Sequence, residues 1–256
     1  MNVSILPTKR TSGKLSVAEI RMLVYGPPKI GKTTLLSGFP HVLILATEKG
    51  YLACQVHVVD IKTWEGFKAT VKEILKGKHE FKTIGIDTTD ILWKLCVEHV
   101  CGDLGIDHMS DEDWGKGYDA VATEFERELN KLFMSKYGLI LVSHTKIQDL
   151  NQRFGKLSKV TTTLSNQARR IIIPKVDIIG LMKIKTVKKS DGSYADRRVV
   201  SFKASELEES GDRTGRLPDE LRVFKDSAKT YAVFEEHFAG DKRKGGDVES
   251  KKQKRE

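Results

Sequence analysis

The stretch Gly26-Pro27-Pro28-Lys29-Ile30-Gly31-Lys32-Thr33 constrains this chain more than any other, because it joins the apolar run Met22-Leu23-Val24-Tyr25 to Thr34-Leu35-Leu36. Glycine, four variable residues, then Gly-Lys-Thr is the spacing at which backbone N–H groups curl around the phosphates of a nucleoside triphosphate. Gly26, Pro27, Pro28, Lys29, Ile30, Gly31, Lys32, Thr33 and Thr34 are therefore the candidate nucleotide-binding set. Lys32 is expected to reach the β- and γ-phosphates and the Thr33 hydroxyl to ligate Mg²⁺, with the helix that opens at Lys32 pointing its positive end at the anion. Such a loop needs a strand behind it and a helix ahead, so the fold must be layered α/β.

The rest of the chain alternates accordingly. Val42-Leu43-Ile44-Leu45-Ala46 is a continuous apolar run, the mark of a strand covered on both faces as in a parallel sheet. Residues 56–61 read as a strand and 63–76 as a helix; 83–87 read as a strand and about 90–100 as a helix. From Tyr118, the positions Val121, Ala122, Phe125, Leu129, Leu132 and Phe133 recur at three- and four-residue steps and predict an amphipathic helix. Leu139-Ile140-Leu141-Val142-Ser143 is a further buried strand. Strands alternating with helices imply a mostly parallel sheet flanked by helices. The last third departs from this: 177–187 and 197–203 read as strands joined through Asp191-Gly192, a C-terminal β-hairpin.

A single large domain accommodates all of this, since 256 residues with 39% hydrophobic content supply a substantial core. The expected organisation is a lead-in over 1–18, an ATPase domain over 19–239 and a basic, disordered tail over 240–256. No apolar stretch approaches the ~20 residues that cross a bilayer, and no signal-peptide core opens the chain, so no membrane contact and a cytoplasmic location are expected. Cys54, Cys96 and Cys101 lack a paired metal-binding spacing and read as reduced packing residues. The formal charge of +9 permits a polyanionic partner, although residues 241–256 alone carry seven Lys/Arg against four Asp/Glu.

Hydrolysis needs more than a phosphate loop: a carboxylate that holds the metal and a group that orients water. Asp87 ends an apolar strand and is the candidate metal carboxylate; the alternative is a plain helix N-cap. Glu48 lies just past the 42–46 strand, at the carboxyl end where open α/β sheets place their ligands, and is the candidate base for water. A solvated loop glutamate is the alternative. His144, in Ser143-His144-Thr145-Lys146, ends the 139–143 strand on the same rim and is the candidate γ-phosphate sensor, or else a surface histidine.

The ordered set GPPKIGKT, LILATEKG, TIGIDT, DWGKGYDAV, LILVSHTK and SFKASELEESGDRTGRLP resembles phage-encoded RecA-like P-loop ATPases, the group related to RecA and RadA recombinases and often called AAA family ATPases. The resemblance covers roughly residues 20–225. It implies a RecA-like P-loop NTPase core, Mg-ATP hydrolysis, and a role in homologous recombination or single-strand annealing on phage DNA, in the cytoplasm of the host cell. It places Glu48 at the family's glutamate after the second strand and His144 at its polar sensor, which is glutamine in RecA itself. A homo-oligomer, ring or filament, and a single-strand DNA-binding protein are the partners it suggests beside single-stranded DNA.

RecA-like proteins carry a mobile DNA-binding loop after the sensor strand. Here that interval, about 146–164, holds Lys146, Arg153, Lys156 and Lys159 around Phe154, cations for phosphates and an aromatic for a base. The alternative is a solvated connection. Sites between subunits also call for an arginine from a neighbour; Arg213 in GDRTGRLP is the candidate, with Arg216, Lys183 and Lys185 behind it and turn salt bridges as the alternative. Two other functions remain open from the residues alone: a P-loop small-molecule kinase, which usually adds an Arg-rich lid not evident here, and a nucleic-acid-binding module with a structural nucleotide site.

Overall fold

The computed structural model describes residues 16–152 and 155–239. The expected disorder of the 240–256 tail lies outside the described residues, as does most of the lead-in. One sheet organises the domain. Its central strands are β1 (Arg21–Gly26), β2 (Val42–Ala46), β3 (His57–Asp60), β4 (Thr83–Asp87), β5 (Gly138–Gln152) and β7 (Ile178–Lys188), in the order β7-β1-β5-β4-β2-β3 and all parallel. Beyond β7 the sheet turns antiparallel through β8 (Tyr194–Ser201) and β10 (Glu220–Val223), while the two-residue β9 (Gly211–Asp212) pairs with the start of β7.

Two apolar layers result from the strand alternation. Leu23, Leu45, Ile84, Ile86, Leu139 and Leu141 face α2 (Trp64–Leu75), α3 (Thr89–Leu104), α4 (Lys116–Phe133) and α5 (Asn166–Ile172). Met22, Val24, Ile44, Ile140 and Val142 face α1 (Lys32–Ser37) and α6 (Ser227–Phe238). With both faces covered, β1, β2 and β4 are buried almost from end to end, which explains why β2 is a continuous hydrophobic run and why the interiors of β1 and β4 are apolar. Helix α2 shows the local logic. The Thr63 side chain accepts from Gly66 N at its start, and Trp64, Phe67, Val71 and Ile74 fall on the buried stripe, each worth about 1.5–3 kcal/mol relative to exposure.

The three cysteines are free, Cys96 and Cys101 buried. No helix among the described residues is long and apolar enough to cross a membrane. The C-terminal hairpin stands where the sequence predicts it, with Gly192 at φ +83° in its turn. One expectation is corrected. Instead of ending at Ser143 and giving way to a loop, β5 runs on to Gln152 and pairs antiparallel with β6 (Gly155–Thr162), from Thr145↔Thr162 to Gln152↔Gly155. The interval reads as a loop because its polar residues lack a clear apolar alternation. The ribbon does not depend on one, since its backbone groups are satisfied across the pair.

Candidate active site

Sheet register brings the candidate residues together. Gly26, where β1 ends, pairs with His144 of β5, and Asp87, where β4 ends, pairs with Val142 of β5 and Ala46 of β2. The loop, Asp87, His144 and the segment carrying Glu48 therefore meet at the carboxyl edge of one sheet. Gly31 sits at φ +102° as the residue before α1, a left-handed conformation that favours glycine, and a Cβ there would also strike the Arg198 guanidinium at 2.6 Å. A Cβ on Gly26 would lie 2.8 Å from the Met182 carbonyl oxygen. Gly26 is thus required by the close passage of neighbouring backbone, and Gly31 is favoured by its left-handed conformation.

Lys32 is buried, 6% exposed, and its ammonium donates to the carbonyls of Gly26 at 2.8 Å and Pro27 at 2.9 Å. Burial lowers its pKa from the usual lysine value, and the charges of Asp87, Glu48 and Asp90 oppose that shift. The Thr33 hydroxyl donates to Asp87 Oδ2 at 2.6 Å. Burial raises the Asp87 pKa above the ordinary aspartate value; the Thr33 hydrogen bond works against it, nearby Glu48 adds to it, and Lys32 and His144 oppose it. A hydroxyl and a carboxylate side by side, under a buried ammonium, form the hard oxygen donor set that suits Mg²⁺ shared with phosphate oxygens. The residues present fit a Mg-nucleotide.

His144 spans the cluster. Its Nδ1 is 3.2 Å from Lys32 Nζ and its Nε2 is 3.6 Å from Glu48 Oε1. An ammonium can only donate, so Nδ1 is the acceptor in the contact with Lys32, and Nε2 is the ring nitrogen on the glutamate side. Glu48 also accepts from Thr88 Oγ1 at 3.3 Å and remains 39% exposed. Beside it a cavity of about 410 Å³ is lined by Glu48, Asp90, Trp93, Lys94, His144 and Thr163, room for water next to a carboxylate. Thr47 ties the two strand ends below: its hydroxyl donates to the Thr88 carbonyl at 2.9 Å and accepts from Thr88 N at 2.8 Å.

Asp90 is a site residue that sequence reasoning passed over as a helix start. Its carboxylate accepts from Ser143 Oγ at 3.1 Å, His144 N at 3.4 Å and Thr163 Oγ1 at 2.5 Å. It thereby fixes the backbone of His144 to the residue that leaves the ribbon, and Thr163 N donates to the His144 carbonyl as well. The available signal was a second acid three residues after Asp87, in the first turn of the helix that leaves the same sheet edge.

The remaining candidates are spread out. Lys146 is exposed and Lys159 half-buried on one face of the β5–β6 ribbon, since Lys146↔Thr161 and Gln148↔Lys159 are successive pairs on that face. Lys156 pairs in register with Asn151, while Arg153 and Phe154 lie outside the described residues. Arg213 is at the opposite end of the sheet from its own phosphate loop, where it donates to the Pro174 carbonyl at 2.7 Å and lies 3.7 Å from Asp177. Lys183 pairs with Glu208 at 2.6 Å, Lys185 with Glu220 at 2.5 Å, and Arg216 donates to the Phe238 carbonyl at 3.1 Å.

Residues 18–214 match the family described as AAA domain. The SPbeta prophage-derived uncharacterized protein YorG of Bacillus subtilis (strain 168) is 26% identical over 187 residues, 71% of this chain and 54% of that protein. The chain thus spans about half the length of the curated relative it matches. Among solved structures, a prototypical ATPase from the type III secretion system of pathogenic bacteria is similar at a TM-score of 0.40 and 15% identity, over 65% of this chain and 52% of that one.

Proposed function

Since the chain belongs to the AAA-domain family, which it matches over residues 18–214, and so carries an AAA-type P-loop ATPase domain, we propose that it is a RecA-like Mg-ATPase whose turnover is coupled to single-stranded DNA. Its setting is recombination or annealing of the phage type. The observation that carries this reading is the position of His144, in contact range of both Lys32 and Glu48 and at the foot of a ribbon that bears cations.

In this reading the loop amides and Lys32 bind the phosphates. Thr33 and Asp87 hold Mg²⁺, which when bound neutralises charge on the phosphate oxygens. Glu48 orients water for attack and takes its proton, and His144 restrains the glutamate carboxylate through Nε2–H. The ribbon begins at the residue after His144, so a change in what His144 touches is passed to Thr145 and, through Asp90, to Thr163. Assembly into a ring or filament, with a neighbour's cation completing each site, belongs to the same proposal.

The test is ATP turnover with and without single-stranded DNA. Strong stimulation is expected. Transfer of phosphate to a metabolite instead of water would favour a kinase, and binding of both ligands without turnover would leave the nucleotide a structural role.

A further inference from the structure

The groups for chemistry all lie on one side of the phosphate loop. Asp87, Glu48 and His144 come from β4, the end of β2 and β5, so the phosphate to be cleaved faces them. The rest of a nucleotide must extend to the other side of β1, where β7 and then β8 run.

On that side Arg198 of β8 reaches over the loop. Its Nη1 donates to the Ile30 carbonyl at 3.3 Å and would meet a Cβ on Gly31 at 2.6 Å. A guanidinium has five N–H donors in a planar fork, and no carboxylate among the described residues pairs with this one. Two cations of the same hairpin, Lys183 and Lys185, differ in this respect, being paired with Glu208 and Glu220. A half-buried, uncompensated cation against the backbone of an anion-binding loop is suited to phosphate. Directly across the strand pair from Arg198 is Ile184, which is 63% exposed. Opposed residues of an antiparallel pair project to the same face, so this apolar side chain stands beside the guanidinium on the loop side.

We propose that Arg198 and Ile184 form the nucleoside half of the nucleotide site, Arg198 holding the phosphates that are not transferred and Ile184 packing against the base and ribose. This rests on the reading of the loop as a Mg-ATP site. Tyr194 shares the face but lies four residues further along β8, about 13 Å at strand spacing, too far for the same nucleoside, and serves as a control.

Calorimetric binding of ADP, ATP and inorganic triphosphate, each with Mg²⁺, tests the assignment. Arg198→Ala is expected to weaken all three by about ten- to a hundredfold, the loss of charge-assisted hydrogen bonds. Ile184→Ser, at an exposed position that leaves the core intact, is expected to weaken ADP and ATP by about three- to tenfold and to leave triphosphate unchanged. Tyr194→Ala should change none of them. In turnover the loss should appear mainly as a raised KM for ATP, because neither residue touches the transferred group. The assignment is overturned if Arg198→Ala lowers kcat while ADP binds normally, or if Ile184→Ser weakens triphosphate as much as ADP. Wild-type protein that binds none of the three overturns the loop reading together with the assignment, whereas normal wild-type binding with unchanged Arg198→Ala affinity overturns the assignment alone.

Discussion

One imidazole, that of His144, stands between the lysine of the loop and the glutamate past β2: Nδ1 is 3.2 Å from Lys32 Nζ, and Nε2 is 3.6 Å from Glu48. Binding and chemistry are therefore separable by substitution on either side of it. Lys32→Ala should abolish hydrolysis and weaken nucleotide binding. Glu48→Gln should bind ATP normally and turn it over about 10²–10⁴ times more slowly, the usual range for a lost general base. Steady-state turnover alongside calorimetric binding checks both, and Glu48→Gln protein that hydrolyses at the wild-type rate would show that another group orients the water.

Asp90 is expected to act by positioning. Asp90→Ala removes an acceptor from Ser143, His144 N and Thr163, and should cost about 1–3 kcal/mol of stability for donors left without partners. A purely structural role predicts only that loss in thermal or denaturant unfolding. If Asp90 couples the sensor to the ribbon, the variant should also retain basal turnover, measured well below its melting temperature, while losing stimulation by single-stranded DNA. Undiminished stimulation would remove Asp90 from the coupling.

Tyr25 gives a pH-dependent prediction independent of function. Its hydroxyl donates to the Glu209 carbonyl at 2.7 Å and lies 3.3 Å from that of Val160. Burial, reinforced by the Glu209 carboxylate, drives its pKa far above the usual tyrosine value of 10.0. A folded-state pKa raised above the unfolded one contributes stability that is complete below about pH 10 and is lost as pH climbs beyond it. Tyr25→Phe should cost about 1 kcal/mol at neutral pH and show a flatter alkaline limb, so the two proteins should converge in denaturant midpoint above pH 10.

The central sheet is legible in the sequence because β1, β2 and β4 are buried on both faces and carry apolar interiors, and the loop is legible through its Gly-Lys-Thr spacing. Glu48, Asp87 and His144 could be nominated from their positions at strand ends. What sequence could not give was the register that sets His144 between Lys32 and Glu48, since pairing partners more than 100 residues apart leave no local mark. The β5–β6 ribbon was hidden for a different reason: its sequence is mostly polar and shows no regular apolar alternation, so only the pairing from Thr145↔Thr162 to Gln152↔Gly155 reveals it. Arg198 was hidden in the pattern of an ordinary strand, and only the chain crossing at Ile30 and Gly31 distinguishes it.

Arg213 has 59% of its side chain exposed at the end of the sheet away from its own loop. If it completes a neighbour's site in a ring or filament, turnover should rise more than linearly with protein concentration. Mixing Arg213→Ala with Lys32→Ala protomers should recover activity that neither has alone, because one supplies the intact loop and the other the arginine. No rescue with Arg213, Arg216, Lys183 or Lys185 variants would count against a finger in trans.

The ribbon offers the decisive test of what the nucleotide is for. Lys146 and Lys159 share one of its faces, and Arg153 and Lys156 fall in the same interval. A grip made of phosphate contacts should be weakly selective for sequence and fall steeply with salt. Replacing Arg153, Lys156 and Lys159 together by Ala should weaken single-stranded DNA binding and flatten the slope of log K against log salt by about two units, at ~0.7 per lost contact. Basal ATP hydrolysis should persist, because Lys32, Asp87 and Glu48 are untouched. Removing residues 241–256, with their seven Lys/Arg, is the control that separates this grip from general attraction by the tail. If the tail deletion abolished DNA binding while the triple variant bound normally, the cations that matter would lie beyond the ribbon, and His144 would have no DNA contact to report to.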